Sequence, residues 1–149
     1  MTEPAAETDL TPAPDDEDDL VAASWEARER AYAPYSTFLV GAALRTPSGV
    51  FTGANVENAS YGLAICAERV AAVTAVAAGV RDFEVCAVTS SGMRPATPCG
   101  ACRQFLYEFN PSMIIVSEGR DGERKRWRLS DLLLDGFGPE DLESAGSAG

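Results

Sequence analysis

The sequence predicts an α/β fold in which one β-sheet is covered by helices on both faces. Three observations point there. Apolar runs of strand length alternate along the chain with segments of helical period. Residues 66–78 are Ala and Val on nearly every side, as expected of a helix surrounded by protein. And 149 residues with 46% hydrophobic composition suffice for one core.

Residues 1–18 hold Pro4, Pro12, Pro14 and the run Asp15-Asp16-Glu17-Asp18 but few large apolar groups. Burial would not offset the entropy of ordering them, so a disordered acidic tail is expected ahead of one domain over 19–149. A first helix is expected over 20–32, where Leu20, Ala23, Ala27 and Ala31 recur at helical spacing and Pro34 prevents continuation. Residues 38–44 and 50–56 read as a hairpin joined through Thr46-Pro47-Ser48-Gly49. The apolar helix 66–78 ends at Gly79, which suits a left-handed cap. A buried strand over 83–89, a helix over 99–109 behind Pro98, and a strand over 113–116 follow. An edge strand over 124–129 comes after the Gly119-Arg120-Asp121-Gly122 turn. A last short helix is expected over 130–134, capped by Ser130 and ended near Gly136.

The formal net charge of −11 is unevenly placed, because residues 1–19 hold eight of the 23 acidic side chains and none of the 12 basic ones. The remainder is close to balance. No clustered basic stripe stands out, so tight polynucleotide binding has little electrostatic support and a small, neutral substrate is favoured. The chain opens with no basic-then-apolar leader, and no stretch approaches eighteen apolar residues; a soluble cytoplasmic protein with no membrane association is expected. With no histidine, carboxylates must carry acid–base chemistry near neutral pH.

The cysteines carry the chemistry. A Cys-x-x-Cys pair with a third Cys, in a chain without an export signal, reads as reduced metal ligands. Cys66 opens Cys66-Ala67-Glu68, and Pro98-Cys99-Gly100-Ala101-Cys102 follows with Cys99 thirty-three residues on. Both groups fall at expected helix starts, where unpaired N–H groups and the positive end of the helix dipole favour anionic sulfur. Three thiolates leave one corner of a tetrahedral zinc ion to water, with the Glu68 carboxylate beside it, which is the pattern of a hydrolytic site. The alternative is a closed four-thiol site that recruits Cys86, in a non-catalytic zinc module. Against it stands the apolar strand around Cys86, where a free cysteine packs as a small hydrophobe. Three thiolates also call for a neighbouring cation: Arg69 is the local candidate to donate to the sulfurs, and Arg103 a second.

These residues resemble those of the small, homotetrameric, zinc-dependent cytidine deaminases. The match covers about 31–142 and rests on Ala33-Pro34-Tyr35-Ser36 with Phe38, Gly53-Ala54-Asn55-Val56-Glu57-Asn58-Ala59-Ser60-Tyr61, Cys66-Ala67-Glu68-Arg69, Pro98-Cys99-Gly100-Ala101-Cys102-Arg103-Gln104 and Leu132-Leu133-Leu134-Asp135-Gly136-Phe137. The resemblance implies the three-layer fold of that family, with a mixed five-stranded sheet flanked by helices. It implies one zinc per subunit on Cys66, Cys99 and Cys102, with Arg69 beside them. The activity implied is hydrolysis of cytidine and 2′-deoxycytidine to the uridines with release of ammonia, in pyrimidine salvage. A zinc hydroxide would attack C4 while Glu68 shuttles protons.

The same resemblance assigns Asn55 and Glu57 to the ribose, although by themselves they could equally end a strand and cap a turn. Phe38 would pack against the pyrimidine, and the Ala67 N–H would meet its carbonyl. Ala59, Tyr61 and Phe137 would reach into a neighbouring subunit's pocket and close it against water. Two other substrates stay open. The ribose element argues against another cytosine-containing small molecule, and the acidic balance against a polynucleotide.

Overall fold

A computed structural model describes residues 15–146. Strand β1 (Val40–Thr46) is the hub of the sheet, pairing antiparallel with β2 (Gly49–Ala54) on one side and β3 (Val85–Ser90) on the other. β3 runs parallel to β4 (Ile114–Glu118), and β4 antiparallel to β5 (Arg124–Arg128), which gives the order β2-β1-β3-β4-β5. A parallel pair requires a crossover, and helix α3 (Gly100–Tyr107) supplies it. Helix α2 (Ala67–Ala77) connects β2 to β3, while α1 (Glu17–Arg28) precedes the sheet. The mixed five-stranded sheet flanked by helices agrees with the fold that the resemblance implies.

The pleat sorts side chains into two cores, because successive residues of a strand face opposite ways. Ala42, Leu44, Cys86, Val88 and Ile115 meet Ala67, Ala71, Ala72 and Ala75 of α2 and Leu106 of α3. Ala43, Val85, Ala87 and Val116 meet Leu20 and Val21 of α1 on the other face. Both helices sit on glycine. A Cβ on Gly53 would lie 2.4 Å from Ala71 N, and one on Gly41 would lie 2.0 Å from Ser24 O, so neither position accepts a side chain. The all-Ala face of α2 is thus explained: small residues let its N-terminal half lie close on β2 and β1.

The first helix is displaced from its expected span. α1 stops at Arg28 because Tyr32 leaves the helix to pair with Val56, donating to Asn55 O at 2.9 Å and accepting from Glu57 N at 2.8 Å. Ala33, preceding Pro34, favours extended backbone, so the change of direction is local in origin. At its other end α1 begins inside the stretch expected to be a disordered tail. Residues 1–14 of that stretch lie outside the described residues, but Asp16, Glu17 and Asp18 are placed by partners. Arg126 grips the buried Glu17 with two bonds of 2.7 Å, Arg124 meets Asp18 at 2.6 Å, and Asp16 pairs with Arg45.

A basic cluster does stand on β5, in Arg124, Lys125, Arg126 and Arg128, but Arg124 and Arg126 are engaged by acidic partners on α1 and β4, Lys125 pairs with Glu123, and Arg128 is exposed. Arg124 also bonds Glu118 at 2.7 Å, and Glu118 accepts from Trp25 Nε1 at 2.8 Å.

Other boundaries moved little. The hairpin, α2, α3 and the three later strands stand within a few residues of expectation, and Gly79 takes φ +87 as the left-handed cap of α2. The short helix α4 (Leu129–Leu132) has Arg128, not Ser130, at its N-cap, because the Ser130 amide is taken by Pro111 O at 2.8 Å. Helix α5 (Pro139–Gly146) and a single 3-10 turn at Tyr61–Leu63 were not anticipated. Among the described residues no helix is long and apolar enough to cross a membrane.

Candidate metal centre and adjoining cavity

Two helix starts bring the thiols together. Cys66 is the N-cap of α2 and Cys99 the N-cap of α3, both in extended backbone, and Cys102 lies in the first turn of α3. The three sulfurs lie within 4.8 Å of one another, with Cys66 and Cys99 3.6 Å apart. Zinc–sulfur bonds of about 2.3 Å in a tetrahedron separate sulfurs by about 3.8 Å, so the donor set fits a zinc ion. Cys99 is exposed, Cys66 half-buried and Cys102 buried. One side of the triad thus opens outward, as a hydrolytic metal requires.

The electrostatics agree. Hydrogen bonding from Cys102 and then from Arg69 brings the Cys66 thiol down to about 5, against the opposing effect of burial. The bond to Cys66 and burial push Cys102 up. Arg69 Nη2 stands 3.7 Å from Cys66 Sγ, and its Nε is buried with no partner among the described residues. Of the two arginines expected near the sulfurs, Arg69 is the one that stands beside them. Arg103 does not: its guanidinium turns away from the sulfurs to Pro98 O, Thr97 Oγ1 and Leu132 O. Cys86 also stands apart from the triad. It is fully buried in the core under α2, outside the cluster of metal-ligating thiols, with a weak hydrogen bond to Ala87 O at 3.9 Å. A four-thiol closed site is thereby excluded.

Glu68, the second residue of α2, is only 4% exposed, and it accepts from Cys102 Sγ at 3.3 Å. Burial holds its carboxyl above the usual carboxylate range, partly opposed by its own backbone N–H and by Cys102. It lines a cavity of about 440 Å³ together with Cys66 and Cys99. Phe38, Asn55 and Glu57 line the same cavity. Asn55 Oδ1 accepts from Val40 N at 2.8 Å and its Nδ2 donates to Phe38 O at 2.9 Å, so the amide fixes the segment that carries Phe38. Glu57 accepts from Ser36 Oγ at 2.5 Å, Ser36 N at 3.1 Å and Tyr35 N at 2.9 Å, and these bonds, led by the Ser36 hydroxyl, hold it below the usual range.

Four of the residues that the resemblance assigns to substrate fall outside the cavity wall. Ala67 is buried in the first turn of α2, where amides lack intrahelical acceptors. Ala59 is exposed, and Tyr61 lies in a neighbouring hollow of about 320 Å³, edge-on to Tyr35 with ring centroids 5.6 Å apart. Phe137 is 54% exposed, its carbonyl held by Gln104 Nε2 at 2.7 Å. The wall also includes Ser36, Val88, Ser90 and Thr97, to which no site role had been given. Ser36 and Thr97 neighbour recognisable motifs. Ser90 had no such signal, since it faces the cavity only through the pleat of β3.

Three thiols and not four, beside a buried carboxylate on the wall of a small-molecule cavity, make this a zinc enzyme and not a zinc clip. The sequence profile of the cytidine and deoxycytidylate deaminase zinc-binding region matches residues 14–118. The chain is 44% identical over 132 residues to the cytidine deaminase of Sporosarcina psychrophila, covering 87% of this chain and 97% of that one. It is 46% identical over 125 residues to that of Halalkalibacterium halodurans, covering 83% and 95%. Its structure is similar to the crystal structure of cytidine deaminase from Burkholderia pseudomallei, with a TM-score of 0.78 and 49% identity over 80% of this chain and 98% of that one. The chain belongs to the zinc-binding cytidine and deoxycytidylate deaminase family.

Proposed function

We propose that the protein hydrolyses cytidine and 2′-deoxycytidine to the corresponding uridines, releasing ammonia, as a step of pyrimidine salvage in the cytoplasm. One observation carries this reading: a buried Glu68 and an outward-opening thiol triad share a single cavity with Asn55 and Glu57. Cys66, Cys99 and Cys102 hold zinc, which when bound supplies a hydroxide nucleophile at neutral pH. Arg69 offsets the negative charge of the three sulfurs.

Glu68 moves the protons. Its carboxylate would take one from the attacking water and pass it to pyrimidine N3, then take the second from the hydroxyl added at C4 and deliver it to the departing amine. A carboxyl raised toward neutrality by burial is suited to both halves of that task. At the other end, Asn55 and Glu57 bond the ribose. Their present bonds leave one amide N–H, one carbonyl lone pair and further carboxylate lone pairs free. Phe38 packs on the pyrimidine and the Ala67 N–H meets its carbonyl. Ala59, Tyr61 and Phe137, which are not on the wall of their own cavity, complete that of a neighbouring subunit in a homotetramer. One catalytic domain running from α1 onward accounts for all of these roles.

Replacing Glu68 with Ala tests the reading. The purified variant is expected to keep one zinc per chain while ammonia release from cytidine falls by about 10²–10⁴, the usual loss for a proton-transfer group. Retention of zinc with turnover at the parent rate would refute it.

A further inference from the structure

The geometry points to Arg103 as a positioning residue that holds the Cys99 thiol in register with Cys102 and so sets how long the triad retains its zinc. This rests on the zinc site of the preceding section and deepens it. Arg103 follows Cys102 directly in α3, yet its side chain runs back along the helix toward the segment ahead of it. Nε donates to Pro98 O at 2.7 Å and Nη2 to Thr97 Oγ1 at 2.8 Å, while Nη1 donates to Leu132 O at 2.8 Å. Each nitrogen of the guanidinium thus has its own acceptor.

The acceptors decide what the fork does. Pro98 is fully buried and contributes a carbonyl but no amide donor, and the next residue is Cys99. Among the described residues Arg103 is the group that fixes that carbonyl, and without it the N-cap cysteine is free to swing on the outward-opening side of the triad. The guanidinium is planar and rigid, so it meets Thr97, Pro98 and Leu132 together only when the ligand loop and the end of α4 stand at one fixed separation. The adjacent Gln104 holds Phe137 O at 2.7 Å, and a Cβ on Gly136 would come within 2.8 Å of the Tyr107 ring of the same helix. Helix α3 therefore clamps the turn carrying Phe137 and the loop carrying Cys99 at once.

Lysine keeps the charge but has no fork, which makes Arg103→Lys the informative variant. Zinc-loaded parent and variant are mixed with excess chromogenic chelator, and zinc loss is followed with time. Loss of an orienting partner weakens metal binding by roughly 10–100-fold, and acceleration of release in that range is expected for Arg103→Lys. Cobalt-substituted protein provides a second reading, since a displaced thiolate shifts its sulfur-to-cobalt charge-transfer band. Arg103 in a merely structural role would lower the melting temperature but leave release rate and spectrum as in the parent, and that outcome overturns the inference. Should Arg103→Lys not fold, Thr97→Val removes a single acceptor without changing shape: release a few-fold faster supports the inference, and release at the parent rate overturns it. A parent chain that takes up no zinc refutes the underlying metal site instead, so the two failures are distinguishable.

Discussion

Cys86 stands outside the thiol triad, in the core beneath α2. Desolvation first, and then the charge of Glu68, push the Cys86 thiol well above its ordinary value of 9.0. A group raised in this way favours folding fully below its ordinary value, and that contribution is lost as pH climbs beyond it. The zinc-loaded parent should therefore lose stability from about pH 9 upward in a denaturant titration, and Cys86→Ala should lose less over the same interval. Zinc per chain, measured by atomic absorption, is expected to be the same in both. A fall in metal content would mean that Cys86 is a ligand. The contrast shows what was legible residue by residue. Cys66, Cys99 and Cys102 could be read as ligands because the geometry of a helix start is local, and local spacing is written in the chain. Arg103 could not be read, since two of its three acceptors are backbone carbonyls and one of these, Leu132 O, comes from an element twenty-nine residues away.

At the scale of elements, the pairing of α1 with β5 has the largest energetic consequence. Glu17 is 4% exposed, and both its oxygens are bonded to Arg126. Removing one member of a buried pair strands the other's charge, at about 3–5 kcal/mol when both are fully enclosed. Arg126 keeps some contact with solvent, so Arg126→Met should cost about 2 kcal/mol in a urea titration. Adding Glu17→Leu should restore part of that loss, because the stranded carboxylate is then gone. A double variant less stable than Arg126→Met alone would contradict this account. These partners also explain the misplaced start of α1. Composition made the run Asp15-Asp16-Glu17-Asp18 resemble a solvated tail, while the groups that order it, Arg45, Arg124 and Arg126, lie on strands. Helix α5 was missed for a different reason: Pro139 at its first position and Glu140 and Asp141 in its first turn are recognisable start signals, but no apolar period accompanies them.

For the molecule as a whole, the distribution of exposed aromatic and aliphatic side chains calls for a partner. Tyr61 is 76% exposed, Leu63 66%, Leu134 79% and Phe137 54%, whereas isolated domains seldom leave so many large apolar groups in water. The homotetramer that we propose would cover them, with one chain finishing the cavity of the next. Glu68→Ala and Phe137→Ala subunits, each of low activity alone, should complement one another when dissociated and reassembled together. Random mixing in equal amounts is expected to return about one quarter of parental turnover, because each working site needs Glu68 from one chain and Phe137 from another. Mixtures no more active than their components would show that each chain builds its site unaided. This level of organisation was invisible to periodicity and spacing, since a surface aromatic and a core aromatic have the same local sequence pattern.

The clasp between Glu17 and Arg126 joins residues 109 positions apart. A ribosome making this protein exposes the acidic partner long before the basic one exists. Until residue 126 emerges, α1 can settle on the nascent sheet only by carrying an ionised carboxylate into a dry crevice, so its docking is deferred. Helix α1 is thus expected to be among the last pieces to lock, and any pause in translation between β4 and β5 would leave the α1 face of the sheet open to other partners.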